Sequence, residues 1–493
     1  MPRLPCKIFR LTFASTLSLI LLLGSAPAQP SVRADASLLE QSGKFAESER
    51  VLRDALKSND LPVVERKRLE FELDRLNRIR LDFTLTEDQL FGVLQKSVKE
   101  LTRDEFDSWV KEGRFEGRVI DGTMYYVGVS RSNLFWRYPD AAARRIGPVD
   151  RSAFEKSVWE DCVAIEKASR EEGKPYVLPK RFDTKMVVKV RPNAVPAGEL
   201  VRAWIPIPRS YPYQRDFKIV GTSPPVQTVG ADESPIRSAF FEQKASADRP
   251  VEFKIEYTYV HDGVRFELDP AKAEPSGVLD AAVRKFTEEG PHVVFTDRVK
   301  NLSAQVAGNE TNPVVIARKF YDWLTDNVKY SYALEYSTIR NISDYCLTNM
   351  WGDCGEESLL YITLCRYRGI PARWQSGWFT FPGGKVIHDW AEIYIRPWGW
   401  VPVDPYMGIL AVRYFQGLTG EQKQEVRRFY FGGLDQYRVA ANGDHSQTLD
   451  PPKRSMRSDD VDFQRGEVEY GETNIYFDKY SYDLEIQEIE ASP

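Results

Sequence analysis

Apolar and polar residues are distributed along this chain with a period that changes in blocks. From residue 33 to about 80 the repeat is helical. Leu38, Leu39, Phe45, Val51, Leu52 and Ala55 recur at three- and four-residue spacing. Gly43 interrupts the pattern, and Asn59-Asp60-Leu61-Pro62 stops it before a further, strongly charged helical stretch. No second copy of this hairpin follows, so a solenoid is not expected. Beyond Thr84, LTEDQLFGVLQKSVKELTRDEFDSWVKEG predicts helix, with Thr86 as its N-cap. RVIDGTMYYVGVS predicts a hairpin turning at Asp121-Gly122. The helical period then returns in DAAARRI and RSAFEKSVWEDCVAIEKASREEG, where Cys162 takes an apolar position and reads as core.

The period shortens from residue 180 to 268. KMVVKVRP, LVRAWIPIP, DFKIVGTS, SAFFEQKA and VEFKIEYTYV are short β-branched and aromatic runs separated by Pro, Gly and Asp. Such strands predict an antiparallel sandwich, with His261 as a turn residue beside Asp262-Gly263. Residues 270–340 are helical again, with Val315, Ile316, Phe320, Trp323, Leu324 and Val328 on one face. After Met407 the chain is polar and turn-rich, and NIYFDKYSYDLEIQEIE predicts a terminal strand. The predicted class is therefore α+β and multidomain: a mostly helical region over 29–178, a sandwich over 179–268, a core over 269–415 and an extension over 416–493.

Composition refines this picture. With 42% hydrophobic and 12% aromatic residues the chain is a folding one. Residues 1–28 have the form of a secretory signal: Arg3, Lys7 and Arg10, then an apolar run from Leu11 to Leu23, then Ala26-Pro27-Ala28. That run is too short to span a bilayer, and no other stretch reaches spanning length, so a secreted or periplasmic protein without an integral span is expected. Removing the signal takes away three of 67 basic residues and none of 72 acidic ones. The negative balance that remains argues against nucleic acid as a partner. The four scattered histidines form no H-x3-H or HExxH spacing and the cysteines no C-x2-C, so neither metal nor cofactor is expected. Four cysteines remain after the signal, too few for a disulfide framework, and Cys346–Cys354 is the pair whose bridging would block the chemistry below.

That chemistry lies between Trp351 and Pro405. Cys354 is flanked by Gly352 and Gly355 and opens the apolar helix EESLLYITLCRYRG, whose stop is Gly369. A thiol in the first turn of a helix gains from the dipole and from unpaired N–H groups. Asp353, Glu356 and Glu357 oppose its ionisation if they point inward. The flanking glycines would let a substrate carbonyl approach the backbone. Cys365, three turns on, reads as core. His388 lies on HDWAEIYI and Asp404 ends GWVPVDP, strands joined by the turn Arg396-Pro397-Trp398-Gly399. A thiol needs a base and the base an orienting group, so Cys354, His388 and Asp404 form a candidate catalytic triad. Direct pairing of His388 with Asp404 requires a hairpin centred at residue 396, while the turn is centred later, so a bulge or longer turn is expected to absorb the offset.

The segment from Asn327 to Pro405 resembles the core of the transglutaminase-like superfamily of papain-fold cysteine enzymes. The resemblance is carried by Gly352-Asp353-Cys354, by LLYITLCRYRGIPARWQSG, and by HDWAEIYI with GWVPVDP, in the family's order. It covers roughly a quarter of the chain. It implies Cys354 as nucleophile, His388 as base and then acid, Asp404 as its orienter, and a Cys helix packed on an antiparallel sheet. It also implies an aromatic group upstream of the thiol that assists the oxyanion, for which Trp323, Tyr330 and Trp351 are candidates. Trp390, Trp398 and Trp400 read as packing. The acidic loops and trailing sandwich domains of calcium-binding animal relatives have no equivalent here, so calcium is not implied.

The expected activity is that of an exported cysteine hydrolase, a peptidase or amidase working through a thioacyl intermediate on a peptide, protein or glycoprotein. The alternatives are a transglutaminase that passes the acyl group to an amine, an amidase that removes glycans, and a non-catalytic binding protein with a relic core. The thioacyl chemistry is shared by the first two, since they differ in which acceptor enters the site.

Overall fold

The computed structural model describes residues 32–274, 277, 279–382 and 384–490. The signal expected at 1–28 lies outside the described residues. The first helices, Val32–Gln41, Phe45–Leu56 and Val63–Asp82, follow the predicted period. Thr86 caps Glu87–Gln95 in a capping box with Gln89. The hairpin at Asp121-Gly122 joins Gly117–Ile120 to Thr123–Val127, and Phe83–Leu85 pairs on its free side. Buried ion pairs fasten this region to the rest. Glu40 accepts from Arg75, Arg118 and Arg340, and Arg78 donates to the carbonyls of Arg457 and Ser458.

Two five-stranded antiparallel sheets share one hydrophobic core. The first contains Tyr176–Val190, Gln214–Ser223, Val251–Arg265, Gly433–Leu434 and Tyr480–Ile489; the second contains Leu200–Pro206, Thr228–Val229, Ser238–Lys244, Glu467–Tyr470 and Thr473–Ile475. Met186, Val188, Phe253 and Ile255 of the first meet Val201, Ala203, Phe241 and Val468 of the second. The sheets are thus not closed within 179–268. The single terminal strand read from NIYFDKYSYDLEIQEIE is two strands, one in each sheet. His261 is not a turn residue either. It lies inside the Val251–Arg265 strand, fully buried, where desolvation pushes its imidazole down to about 4.

The third large sheet is four-stranded and antiparallel, in the order Gly399–Val403, Val386–Ile395, Ala372–Phe379, Arg438–Asn442. The Cys354–Tyr367 helix packs on it, and every residue from Gly355 to Arg366 is buried. A helix apolar on all sides belongs in the interior. Here the sheet covers one side and Pro313–Asn327 and Asp297–Ala307 cover others. Gly377 is demanded by the approach of the Arg438–Asn442 strand: a Cβ there would lie 1.7 Å from the Val439 carbonyl oxygen. Among the described residues no helix is long and apolar enough to cross a membrane.

Candidate active site

Cys354 is the first residue of its helix, as the sequence predicts, and Asp353 is the N-cap. The Asp353 carboxylate accepts the N–H groups of Gly355 and Glu356, both at 3.1 Å, and Glu356 reaches back to the Asp353 N–H at 3.2 Å. Orphan donors at this helix end are therefore consumed by a carboxylate and are not left for the thiol. Cys354 is half-buried and lines a cavity of about 480 Å3. Besides Asp353 and Cys354, the cavity walls come from four parts of the chain: Asp82 and residues 127–129, then Tyr330 and residues 332–336, then Val386, Ile387 and Asp389, then Asp459, Asp462, Gln464, Arg465 and Tyr482.

His388 Nε2 lies 2.8 Å from Asp404 Oδ2, with both side chains buried. The hairpin achieves this without the expected bulge. Its register runs from Ile395↔Gly399 to Ala391↔Val403, centred on Pro397. Extended one residue past Ala391↔Val403, it sets Asp404 opposite Trp390 and so diagonal to His388, a separation that side chains span. The second strand ends at Val403, and Asp404 caps the Pro405–Arg413 helix by accepting the Met407 N–H at 3.1 Å. Cap geometry thus fixes one carboxylate oxygen and turns the other to the imidazole.

The thiol's own partner is a residue the sequence reading passed over. Cys354 Sγ lies 3.5 Å from Asp389 Oδ2, and no hydrogen bond joins it to His388 among the described residues. Asp389 is held by Gln464, whose amide donates to Asp389 Oδ1 at 2.7 Å and to the His388 carbonyl at 3.0 Å. The Tyr336 hydroxyl lies 2.7 Å from Asp353 Oδ1 and 3.3 Å from Asp389 Oδ2. Gly355 makes room for that hydroxyl, since a Cβ would come within 2.0 Å of it. This packing alone requires a glycine here.

Burial raises the Cys354 thiol well above its ordinary range, and the Asp389 and Asp353 carboxylates raise it further. Burial also lowers His388, against the opposing pull of Asp404. Asp404 is held below the usual carboxylate range by His388 and Arg438 despite its burial. Both shifts favour the neutral forms of the thiol and the imidazole. Glu356 and Glu357 do point inward and are pushed up by burial.

The other sequence candidates separate clearly. Tyr330 lines the cavity, and its strand pairs in parallel with Trp351-Gly352, immediately before the thiol. Tyr330 contacts Tyr406 at 5.2 Å, and Tyr406 contacts His388 at 5.0 Å. Trp351 lies under the Arg137 guanidinium at 4.3 Å, and Trp323 packs on the core. Trp390 stacks on His388 at 5.8 Å, Trp398 is packed on the core, and Trp400 lies under Arg373. Cys162, Cys346 and Cys365 are buried and unbridged. No group of acidic, histidine and cysteine side chains suited to a metal occurs among the described residues.

Residues 300–405 match the Transglutaminase-like superfamily. An uncharacterised Haemophilus influenzae protein is 24% identical over 193 residues, covering 34% of this chain and 52% of that protein. The uncharacterised protein YebA of Bacillus subtilis is 28% identical over 182 residues, 31% of this chain and 23% of YebA. The matched stretches thus span about half of one relative and a quarter of the other. Among solved structures, a candidate cysteine protease from Cytophaga hutchinsonii superposes with a TM-score of 0.41 at 15% identity, covering 64% of this chain and 92% of that one. The periplasmic domain of TgpA from Pseudomonas aeruginosa gives 0.26 at 16% identity, covering 50% and 93%. The motifs, the helix-on-sheet core and the match at 300–405 together make this an α+β, multidomain chain with a transglutaminase-like core.

Proposed function

We propose that this protein is an exported cysteine hydrolase acting on amide bonds, with Cys354 as nucleophile, His388 as base and then acid, and Asp404 as its orienter. The observation that carries the reading is the buried 2.8 Å contact between His388 and Asp404 in the sheet that supports the Cys354 helix. Asp404 fixes the proton on Nε2, which leaves Nδ1 as the basic nitrogen. The thiol proton passes to Nδ1 as sulfur attacks the amide carbon, since burial disfavours charge on either partner beforehand. The imidazolium then protonates the leaving amine, and water, activated by the same nitrogen, resolves the thioacyl intermediate. Tyr330 is the aromatic group we assign to the oxyanion side, on its place in the cavity wall.

The substrate is a peptide, protein or glycoprotein segment that enters the cavity above Cys354. Water is the acceptor we favour; a lysine amine in its place would make the same intermediate a crosslink. The test is iodoacetamide alkylation of Cys354 against pH in wild type and His388→Ala, followed by casein hydrolysis and fluorescent-amine incorporation. Alkylation and turnover that both collapse in His388→Ala support the triad. Equal alkylation in the two proteins removes it.

A further inference from the structure

Behind His388 the interior holds a line of alternating charge: His388, Asp404, Arg438, Asp435. Arg438 is fully buried and donates Nη1 to Asp404 Oδ2 at 2.9 Å. Its Nη2 and Nε both reach Asp435 Oδ2, at 2.6 and 3.0 Å. Asp435 also accepts the Tyr430 hydroxyl and the Tyr437 N–H, each at 3.0 Å, and is itself buried. The Arg438 guanidinium sits against the rings of Phe379, Trp390 and Tyr430. His388 touches two of these same rings, Phe379 and Trp390. Charges in so apolar a setting are felt strongly across the line.

An arginine bound to the carboxylate that orients a histidine is a problem for acid–base chemistry. It cancels the charge that would stabilise an imidazolium. Asp435 supplies a second carboxylate and engages the guanidinium through two nitrogens, against the one given to Asp404. With neutral His388 the line carries one net negative charge, and with imidazolium it is balanced. We infer that Asp435 is a positioning residue for the reaction proposed above, acting through Arg438 to leave Asp404 free to hold a protonated His388. The inference rests on that reading for the role of His388, while the line itself is independent of it.

Other titratable groups face this line from each neighbouring element. Tyr406 follows Asp404 on the Pro405–Arg413 helix, and Asp389 is on the strand of His388 itself. Cys354 and Glu357 face it from the nucleophile helix, and Tyr321 from Pro313–Asn327. Asp161 and Cys162 of the Ser152–Glu172 helix and His261 of the Val251–Arg265 strand act on the Asp435 end. None of these is altered in the test, so they remain a constant background.

The experiment follows His388 by NMR in the full chain with labelled histidine, in which only four residues report, and identifies it by its loss in His388→Ala. Asp435→Asn leaves Arg438 uncompensated, so the His388 titration moves down by about one pH unit. Arg438→Gln removes the cation and moves it up by a similar amount. Asp435→Glu and Arg438→Lys preserve the charges and stay near wild type, which covers the case in which Arg438→Gln does not fold. Opposite shifts for the two charge removals, or a downward shift in Asp435→Asn that Asp435→Glu rescues, support the inference. Shifts of the same sign, or none in Asp435→Asn, overturn it. The pH dependence of Cys354 alkylation is measured on the same variants. Histidine shifts without matching alkylation shifts would leave the charge line standing and overturn the triad.

Discussion

The Asp389 carboxylate lies 3.5 Å from the Cys354 sulfur and is the thiol's hydrogen-bond partner among the described residues. After burial, the neighbour that follows His388 in sequence thus does most to favour the protonated Cys354 thiol. Asp389 is itself pushed well up by burial and by Asp462 and Asp353. Asp389→Asn keeps the oxygen that accepts from Gln464 but puts an NH2 where Oδ2 accepts from Cys354 and Tyr336, so it removes both the residual charge and the acceptor at the thiol. Asp389→Asn should therefore raise the rate of Cys354 alkylation at pH 7 to 8 by about three- to tenfold, as a lowered thiol pKa requires. Rates measured across pH in the two proteins check this, and a slower variant would make Asp389 a base instead of a restraint.

Thiol selectivity follows from burial. Desolvation pushes all four thiols up, so access separates them: Cys162, Cys346 and Cys365 are buried, whereas Cys354 is half-buried and lines the cavity. Native alkylation followed by peptide mass spectrometry should find label on Cys354 alone, with the other three reacting only after denaturation.

Gly355 is the position where one methyl group does most damage. A Cβ there meets the Tyr336 hydroxyl at 2.0 Å and Asp389 Oδ2 at 2.7 Å. Gly355→Ala should cost roughly 1–3 kcal/mol as overpacking and should displace Tyr336 from Asp353. Tyr336→Phe added to it should return part of the loss. Urea denaturation of the two single variants and the double variant gives the coupling.

Stability should fall as pH rises through neutrality. Burial pushes Asp82 up to about 7, helped by Glu335, and burial with Asp459 pushes Asp462 up to about 7. In the unfolded chain such groups ionise near pH ~4. Between these limits the folded state binds more protons than the unfolded one, so stability is present below the unfolded pKa and lost as pH climbs to about 7. His261 and His292, both lowered to about 4, work in the opposite sense up to their unfolded value near ~6.5. The carboxylates are therefore seen cleanly only above that. Thermal unfolding from pH 6.5 to 8 should show a decline, of about 1 kcal/mol or less per group, that Asp82→Asn reduces. A wild-type melting temperature that rises across this range would contradict the assignment.

The motif residues were legible because local rules place them. Cys354 follows an N-cap aspartate and Gly369 ends its helix, so the thiol could be put on a helix start from sequence. His388 and Asp404 flank a recognisable hairpin. What was missed depends on long-range partners. Gln464 and Arg438 have no local signature and reach the site only because the strands after residue 433 fold back onto earlier sheets. His261 misled because Asp262-Gly263 is turn chemistry, which fifteen residues of continuous strand override. Asp389 was overlooked as the unremarked middle of H-x-W, although alternation along a strand turns it away from His388 and toward different neighbours.

The folding-back of residues 459–489 carries a consequence for biogenesis. The cavity above the thiol takes Asp459, Asp462, Gln464, Arg465 and Tyr482 as walls, and the last strand pairs along the length of Tyr176–Val190. A growing chain that has already made Cys354, His388 and Asp404 therefore still lacks part of the chamber that would receive a polypeptide. Until residues 459–489 have been made and folded back, the cavity above Cys354 is open on the side that they wall off.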